Sequence, residues 1–234
     1  MTNNWQYAIT TVPERFHTTL PRTLASLARG GFGDPLVFVD GCLERDLPDV
    51  LQGLRCVVRP QRIRAYGNWV LAAWQLYLED PVARRYAIFQ DDLITYKNLR
   101  AYLDRCTLPE RGYWNLYTFP QNEGKYGWHY SPLQDGKGAL ALVFSNNALR
   151  RLLSSRHMVD RVDNHRRGHR GIDGGVITAL RELDDDIYKE YVHTPSLVQH
   201  IGEVSSIGTR RHPFAVSFLG EDYDALELLS CVSS

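Results

Sequence analysis

The sequence predicts an α/β fold built on a mixed, mainly parallel sheet flanked by helices, and three observations point there. Short apolar runs alternate with helix-period segments through residues 5–95. That order requires crossover helices between parallel strands. Several runs are apolar throughout rather than alternating, as in strands covered on both faces. Finally, Asp40-Gly41 and Asp91-Asp92 stand where such runs stop, and ligands gather at the carboxyl ends of strands in open α/β sheets.

Trp5–Thr11 (WQYAITT) reads as the first strand, followed by a loop at Pro13-Glu14-Arg15. Leu20–Ala28 (LPRTLASLA) places its apolar positions near helical spacing, and Gly30-Gly31-Phe32-Gly33 ends it. Pro35–Val39 is a second strand and Arg55–Arg59 a third. Asn68–Leu78 (NWVLAAWQLYL) is expected as an apolar helix capped by Asn68 and stopped by Pro81. Tyr86-Ala87-Ile88-Phe89-Gln90 then climbs to the acid pair.

The second half predicts strands at Tyr113–Thr118, Leu140–Phe144 and Ile187–Val192, and helices at Asn146–Leu153 and Asp173–Leu183. Pro120–Lys137 reads as a long loop rich in glycine and aromatics. With no repeat, low-complexity tract or clean linker, residues 1–234 are expected to form one domain. Residues 5–95 would be its ligand-binding half and residues 110–206 the half that completes the site.

A 44% hydrophobic, 23% charged composition is that of a globular protein. No stretch reads as a transmembrane span or a signal segment, so a cytoplasmic protein is expected. Cys42, Cys56, Cys106 and Cys231 lack the spacing of a zinc site or a disulfide framework. Net charge is zero, yet 23 arginines stand against 4 lysines. Arginine favours planar, bidentate contacts with phosphate and carboxylate.

A buried strand tolerates two adjacent carboxylates only at its end, where solvent or a cation compensates them. Hard oxygen ligands there suit Mg²⁺ or Mn²⁺ on a diphosphate, because such ions bind through one or two carboxylates plus substrate phosphates. The plain alternative is an acidic turn or a helix cap at Asp92. His200 lies in a strand-like run beside Gln199, where a histidine is ordinarily a satisfied core residue. Asp40 and Arg15 follow strands, as residues that meet a ribose or base do, although Asp-Gly is also a strong turn pair. Asp173, in Gly171-Ile172-Asp173-Gly174-Gly175, is either a helix cap or a general base within reach of an acceptor hydroxyl. Trp128 and His129, with Tyr126 and Tyr130 nearby, either stack on a ligand or roof the core. Residues 146–172 carry seven arginines, among them Arg166, Arg167 and Arg170, against two aspartates. That is the one stretch suited to a polyanion such as DNA, the plain alternatives being a solvated helix face and loop or contacts to a diphosphate.

Taken in order, these blocks resemble the GT-A-fold glycosyltransferases. Ile9-Thr10-Thr11-Val12-Pro13-Glu14-Arg15 looks like their nucleotide-binding opening, and Phe89-Gln90-Asp91-Asp92 like their acidic motif. Pro195-Ser196-Leu197-Val198-Gln199-His200-Ile201-Gly202 is similar to the C-terminal motif of the N-acetylglucosaminyltransferases that branch N-glycans. The resemblance implies a single GT-A-like domain that moves a sugar from a nucleotide-sugar, UDP-linked by preference, with inversion. It implies Mn²⁺ or Mg²⁺ at Asp92 and His200, and Asp173 as the base. Donor contacts would come from Thr10, Arg15, Asp40, Asn68, Gln90 and Asp91. Acceptor contacts would come from Trp128, His129, Arg166, Arg167 and Arg170. Gln90 departs from the pattern, since an acid usually stands there. The acceptor expected first is a hydroxymethylated base in phage-type DNA, with a glycan, protein or small molecule equally admissible. A non-catalytic nucleotide-sugar or nucleic-acid binding domain is the alternative.

Overall fold

A computed structural model of the protein describes residues 4–134, 136–156, 158, 171–183, 188–202 and 213–232. Ten strands lie among them: β1 (Trp5–Thr11), β2 (Leu36–Asp40), β3 (Cys56–Arg59), β4 (Arg85–Gln90), β5 (Leu93–Thr95), β6 (Gly112–Asn115), β7 (Gly127–Tyr130), β8 (Ala141–Ser145), β9 (Lys189–Thr194) and β10 (Val198–His200). The α-helices are α1 (Leu20–Arg29), α2 (Arg64–Glu79), α3 (Leu99–Arg105), α4 (Asn146–Ser154) and α5 (Ile172–Leu183).

Eight strands form one sheet in the order β3-β2-β1-β4-β8-β6-β9-β7, and β5 pairs with β10 in a second, two-stranded sheet. β1 runs parallel to β2 and β4, as β2 does to β3 and β6 to β9. β8 is antiparallel to both β4 and β6, and β7 to β9. The sheet is therefore mainly parallel with two reversed strands.

Side-chain alternation along each strand divides the core into two layers. Trp5, Ile9, Val37, Val39, Ala87, Phe89 and Val143 point to the side holding α1, α3 and the C-terminal 3₁₀ helix (Ala225–Val232). Ala8, Leu36, Phe38, Ile88, Leu142 and Phe144 point to the side holding α2, α4 and α5. Buried on both faces, the central strands can be apolar throughout, as their sequences read. No helix among the described residues is long and apolar enough to cross a membrane.

Three expectations are corrected here. α2 begins at Arg64, so Asn68 lies inside the helix and is buried, not capping it. Its amide donates to the Phe38 carbonyl (3.1 Å) and accepts from Arg59 Nη1 (2.6 Å), so tertiary hydrogen bonds override its preference for a cap. The loop expected over Pro120–Lys137 contains β7, whose partner β9 lies some sixty residues on. The segment after Asp92 is β5, so Asp92 caps no helix.

Candidate active site at the carboxyl edge of the sheet

Parallel register brings the ends of β1 and β4 together, with Thr10 opposite Gln90. One residue further, the Thr11 hydroxyl donates to Asp91 Oδ2 at 2.6 Å. The turn is pinned from α1, where the Thr23 hydroxyl donates to the Asp91 carbonyl (3.0 Å) and accepts from the Leu93 N–H (3.1 Å). Asp91 is buried, and its carboxyl is pushed up from 3.8 to about 7. Desolvation is the main cause and the neighbouring Asp92 charge the second; Thr11 and Arg15 oppose them.

Asp92 is the meeting point of three chain segments. Its Oδ2 accepts from Arg15 Nη2 at 3.3 Å and lies 3.2 Å from His200 Nε2. The β5–β10 ladder delivers the histidine by placing His200 opposite Leu93, and the Ile201 N–H donates to the Asp92 carbonyl at 2.8 Å. Gly202 N–H donates to His200 Nδ1 at 3.0 Å. A Cβ on Gly202 would come within 2.7 Å of His200 Cε1 and 2.8 Å of Asp92 Oδ2.

On the β2 side, Asp40 is buried with Oδ1 accepting from the Ile63 N–H at 2.9 Å. Among the described residues its Oδ2 meets no hydrogen-bond partner, an oxygen that a ligand hydroxyl or amide can satisfy. Arg59 lies over the Phe38 ring and holds Asn68, which makes Asn68 a support for this wall. The Thr10 hydroxyl turns to the Phe89 carbonyl at 3.5 Å. Arg62 pairs with Glu14 and covers Gly41, where φ of +82° excludes most side chains.

Across β4, a cleft of about 150 Å³ is bordered by Gln90, Tyr117, Phe119, Lys137, Asp173 and His200. Asp173 sits in the first turn of α5 and caps across space: Gly138 N–H donates to Oδ2 (2.9 Å) and Ala139 N–H to Oδ1 (3.3 Å). Gln90 Nε2 donates to the Ala139 carbonyl at 2.7 Å. Gln90 and Asp173 thus grip the same short loop from two sides, and the acid and the end of β4 share one cleft.

Trp128 and His129 lie away from this cleft. Trp128 stacks on Trp114, with ring centroids 4.5 Å apart and 15° between planes, and packs against His193. His129 lies with its ring nitrogens 3.0 Å from the Gly127 carbonyl and 3.2 Å from that of Asn122. Both side chains serve β7 and its loop. Arg166, Arg167 and Arg170 lie outside the described residues. Arg150 and Arg151, from the same arginine-rich stretch, line a groove of about 430 Å³ with Trp74 and Tyr77 on the α2–α4 face.

Thr11, Arg59, Tyr117, Phe119 and Lys137 join the site without having been singled out from sequence. Thr11 had a usable signal, because a parallel register of β1 with β4 puts it beside the first acid. Arg59 depends on β3 pairing beside β2, and Tyr117, Phe119 and Lys137 on how the chain between β6 and β8 folds back.

No protein-family model matches the chain, and no curated protein sequence does. Among solved structures, HddC from Yersinia pseudotuberculosis superposes with a TM-score of 0.47 at 8% identity, covering 84% of this chain and 93% of that one. Mannose-1-phosphate geranyltransferase from Thermus thermophilus gives 0.43 at 14% identity, covering 81% of this chain and 74% of that one. Neither likeness bears on the chemistry of this chain.

Proposed function

We propose that the protein is a glycosyltransferase that takes a sugar from a nucleotide-sugar, UDP-linked by preference, and passes it to a hydroxyl acceptor. One observation carries this reading: Asp91 and Asp92 directly follow β4, Arg15 and His200 meet Asp92, and His200, Gln90 and Asp173 border one cleft.

The donor would lie across the carboxyl ends of β1, β2 and β4. Asp40 Oδ2 accepts a hydrogen from ribose or base, and Arg15, beside Asp92, meets the diphosphate with a planar pair of donors. Tyr117 and Phe119 supply apolar wall to the cleft that would take the sugar, with the Lys137 ammonium over the Phe119 ring. Gln90, tied to the Ala139 carbonyl, contributes a neutral donor contact where the glycosyltransferases that the chain resembles usually carry an acid.

Asp92 fits a divalent cation: it is a hard oxygen donor at the sheet edge, and a bound diphosphate would supply further oxygens. Mn²⁺ or Mg²⁺ would be held by that carboxylate and would stabilise negative charge on the departing diphosphate. Among the described residues no cluster of three or more histidine, cysteine, aspartate or glutamate side chains forms a metal cage. A substrate-completed site needs none.

Asp173 is the base in this reading. The Gly138 and Ala139 N–H groups orient its oxygens, and it borders the cleft where an acceptor hydroxyl would lie. The two N–H donors also hold its plane fixed toward the cleft. Direct displacement by an acceptor so deprotonated inverts the anomeric centre. A hydroxymethylated base in DNA remains the leading acceptor, supported by exposed Arg150 and Arg151 at the start of the arginine-rich stretch.

The test is nucleoside diphosphate release from a panel of UDP-sugars with Mn²⁺, alone and with hydroxymethylated DNA or simple glycans. Release that EDTA abolishes and that falls at least about 100-fold in Asp92→Asn, as loss of a transition-state contact does, is expected. Release unchanged by both would end this reading.

A further inference from the structure

The strand pairing that brings His200 to Asp92 also fixes which ring nitrogen carries the proton. Nδ1 lies 3.0 Å from the backbone nitrogen of Gly202, a group that always bears a hydrogen and can only donate. An accepting ring nitrogen has no proton of its own, so the proton of the neutral ring sits on Nε2. Nε2 in turn lies 3.2 Å from Asp92 Oδ2.

Turning the ring over would not restore a free lone pair at the same cost. It would set Cδ2 against the Gly202 N–H and Cε1 against the carboxylate, losing both hydrogen bonds. The segment cannot easily slide either, because the Ile201 N–H is tied to the Asp92 carbonyl and Gly202 packs on the ring edge with no room for a Cβ. A histidine that ligates a metal needs the opposite arrangement: a bare nitrogen toward the ion, and the other N–H donated to a carbonyl or carboxylate.

We infer that His200 is not a ligand of the cation but a positioning residue, an N–H donor that holds Asp92 Oδ2 in place jointly with Arg15. For the metal it rests on the transferase reading above; for the proton it stands on the metal-free protein alone. Any cation would then be gripped by Asp92 and the substrate diphosphate, without the imidazole.

The decisive measurement is NMR on the full chain labelled with ¹⁵N-histidine, first metal-free and then with ¹¹³Cd²⁺ and UDP. His200 is expected to show a protonated Nε2 and a bare, hydrogen-bond-accepting Nδ1, unchanged on loading and without ¹¹³Cd–¹⁵N splitting. A protonated Nδ1 in the metal-free protein, or a splitting at His200 after loading, would overturn the inference. If Cd²⁺ does not bind the wild type even with UDP, the cation in the proposed function fails, while the metal-free spectrum still decides the proton. Variants add a second readout, Mn²⁺ affinity by electron paramagnetic resonance in the presence of UDP. His200→Gln, which keeps an N–H donor near the Nε2 position, should bind within about threefold of wild type. His200→Leu should lose about 10–100-fold, the usual effect of removing a supporting partner. Equal losses in both would remove the donor role.

Discussion

Asp173 combines two demands that a single substitution can separate. Its two oxygens accept from Gly138 and Ala139, and in the proposed reaction the same group takes a proton. In Asp173→Asn one of those N–H donors would face an amide NH₂ instead of an oxygen. A buried donor without its acceptor costs about 1–3 kcal/mol, so urea unfolding should shift by that amount. UDP binding by calorimetry should persist while transfer is lost. Transfer at near wild-type rate would leave Asp173 as a strut and remove it as the base. At this scale the placement of residues was legible where they follow an apolar run, because the run marks the strand and the register marks its edge. Asp91, Asp92, Asp40 and Arg15 all reach the carboxyl edge. Asn68 was misread because a cap preference is local, whereas its partners, Phe38 and Arg59, come from two other strands.

The element that shapes the cleft is the loop between β7 and β8. Gln134 bonds both the Ser131 and Glu190 carbonyls. Asn115 donates to the Lys137 carbonyl and to Glu190 Oε1, each at 2.9 Å, and Gly136 N–H donates to Glu190 Oε2 at 3.2 Å. Gly138, with φ of +82°, presses against the Tyr117 ring where a Cβ cannot fit. Glu190 is fully buried and anchors this loop from β9. Glu190→Ala should therefore destabilise the protein by about 2–4 kcal/mol, the cost of stranding two buried donors, read as a lower urea midpoint. It should also weaken transfer more than UDP binding, because the loop borders the cleft and not the β2 side. Undiminished stability would mean that water or another acceptor replaces the carboxylate. None of this was legible in advance. Strands β1, β2, β4 and β8 announce themselves by apolar runs, but β7 is four residues long and its pairing is distant. A Gly-rich, aromatic stretch carries no periodic signal that tells a loop from an edge strand.

Across the whole molecule, two buried titratable groups set opposing pH dependences. His193 joins the halves of the chain: its Nδ1 lies 2.6 Å from the Pro195 carbonyl, its Nε2 lies 2.8 Å from the Tyr102 hydroxyl on α3, and Trp128 packs on its ring. Burial pushes it down from 6.5 to about 4, with His129 adding to the shift and the Pro195 hydrogen bond opposing it. Between those values the unfolded chain binds a proton that the folded chain does not, so stability is present above pH 6.5 and lost as pH falls toward 4. From pH 7 to pH 4.5 the loss is about 2 kcal/mol for a shift of this size. Asp91 works in the other sense. Its folded value is raised, so the folded chain keeps a proton that the unfolded chain releases, and stability falls as pH rises from 3.8 to about 7. The two slopes oppose each other across one window, and removing one group should expose the other. His193→Gln is expected to be less stable than wild type at pH 7. Its stability relative to wild type should then recover by about 2 kcal/mol on going to pH 4.5, because the variant no longer carries the histidine's acid-side loss. Equilibrium urea unfolding of both proteins at the two pH values measures this, and parallel pH profiles would show that His193 titrates in the folded state much as it does in the unfolded chain.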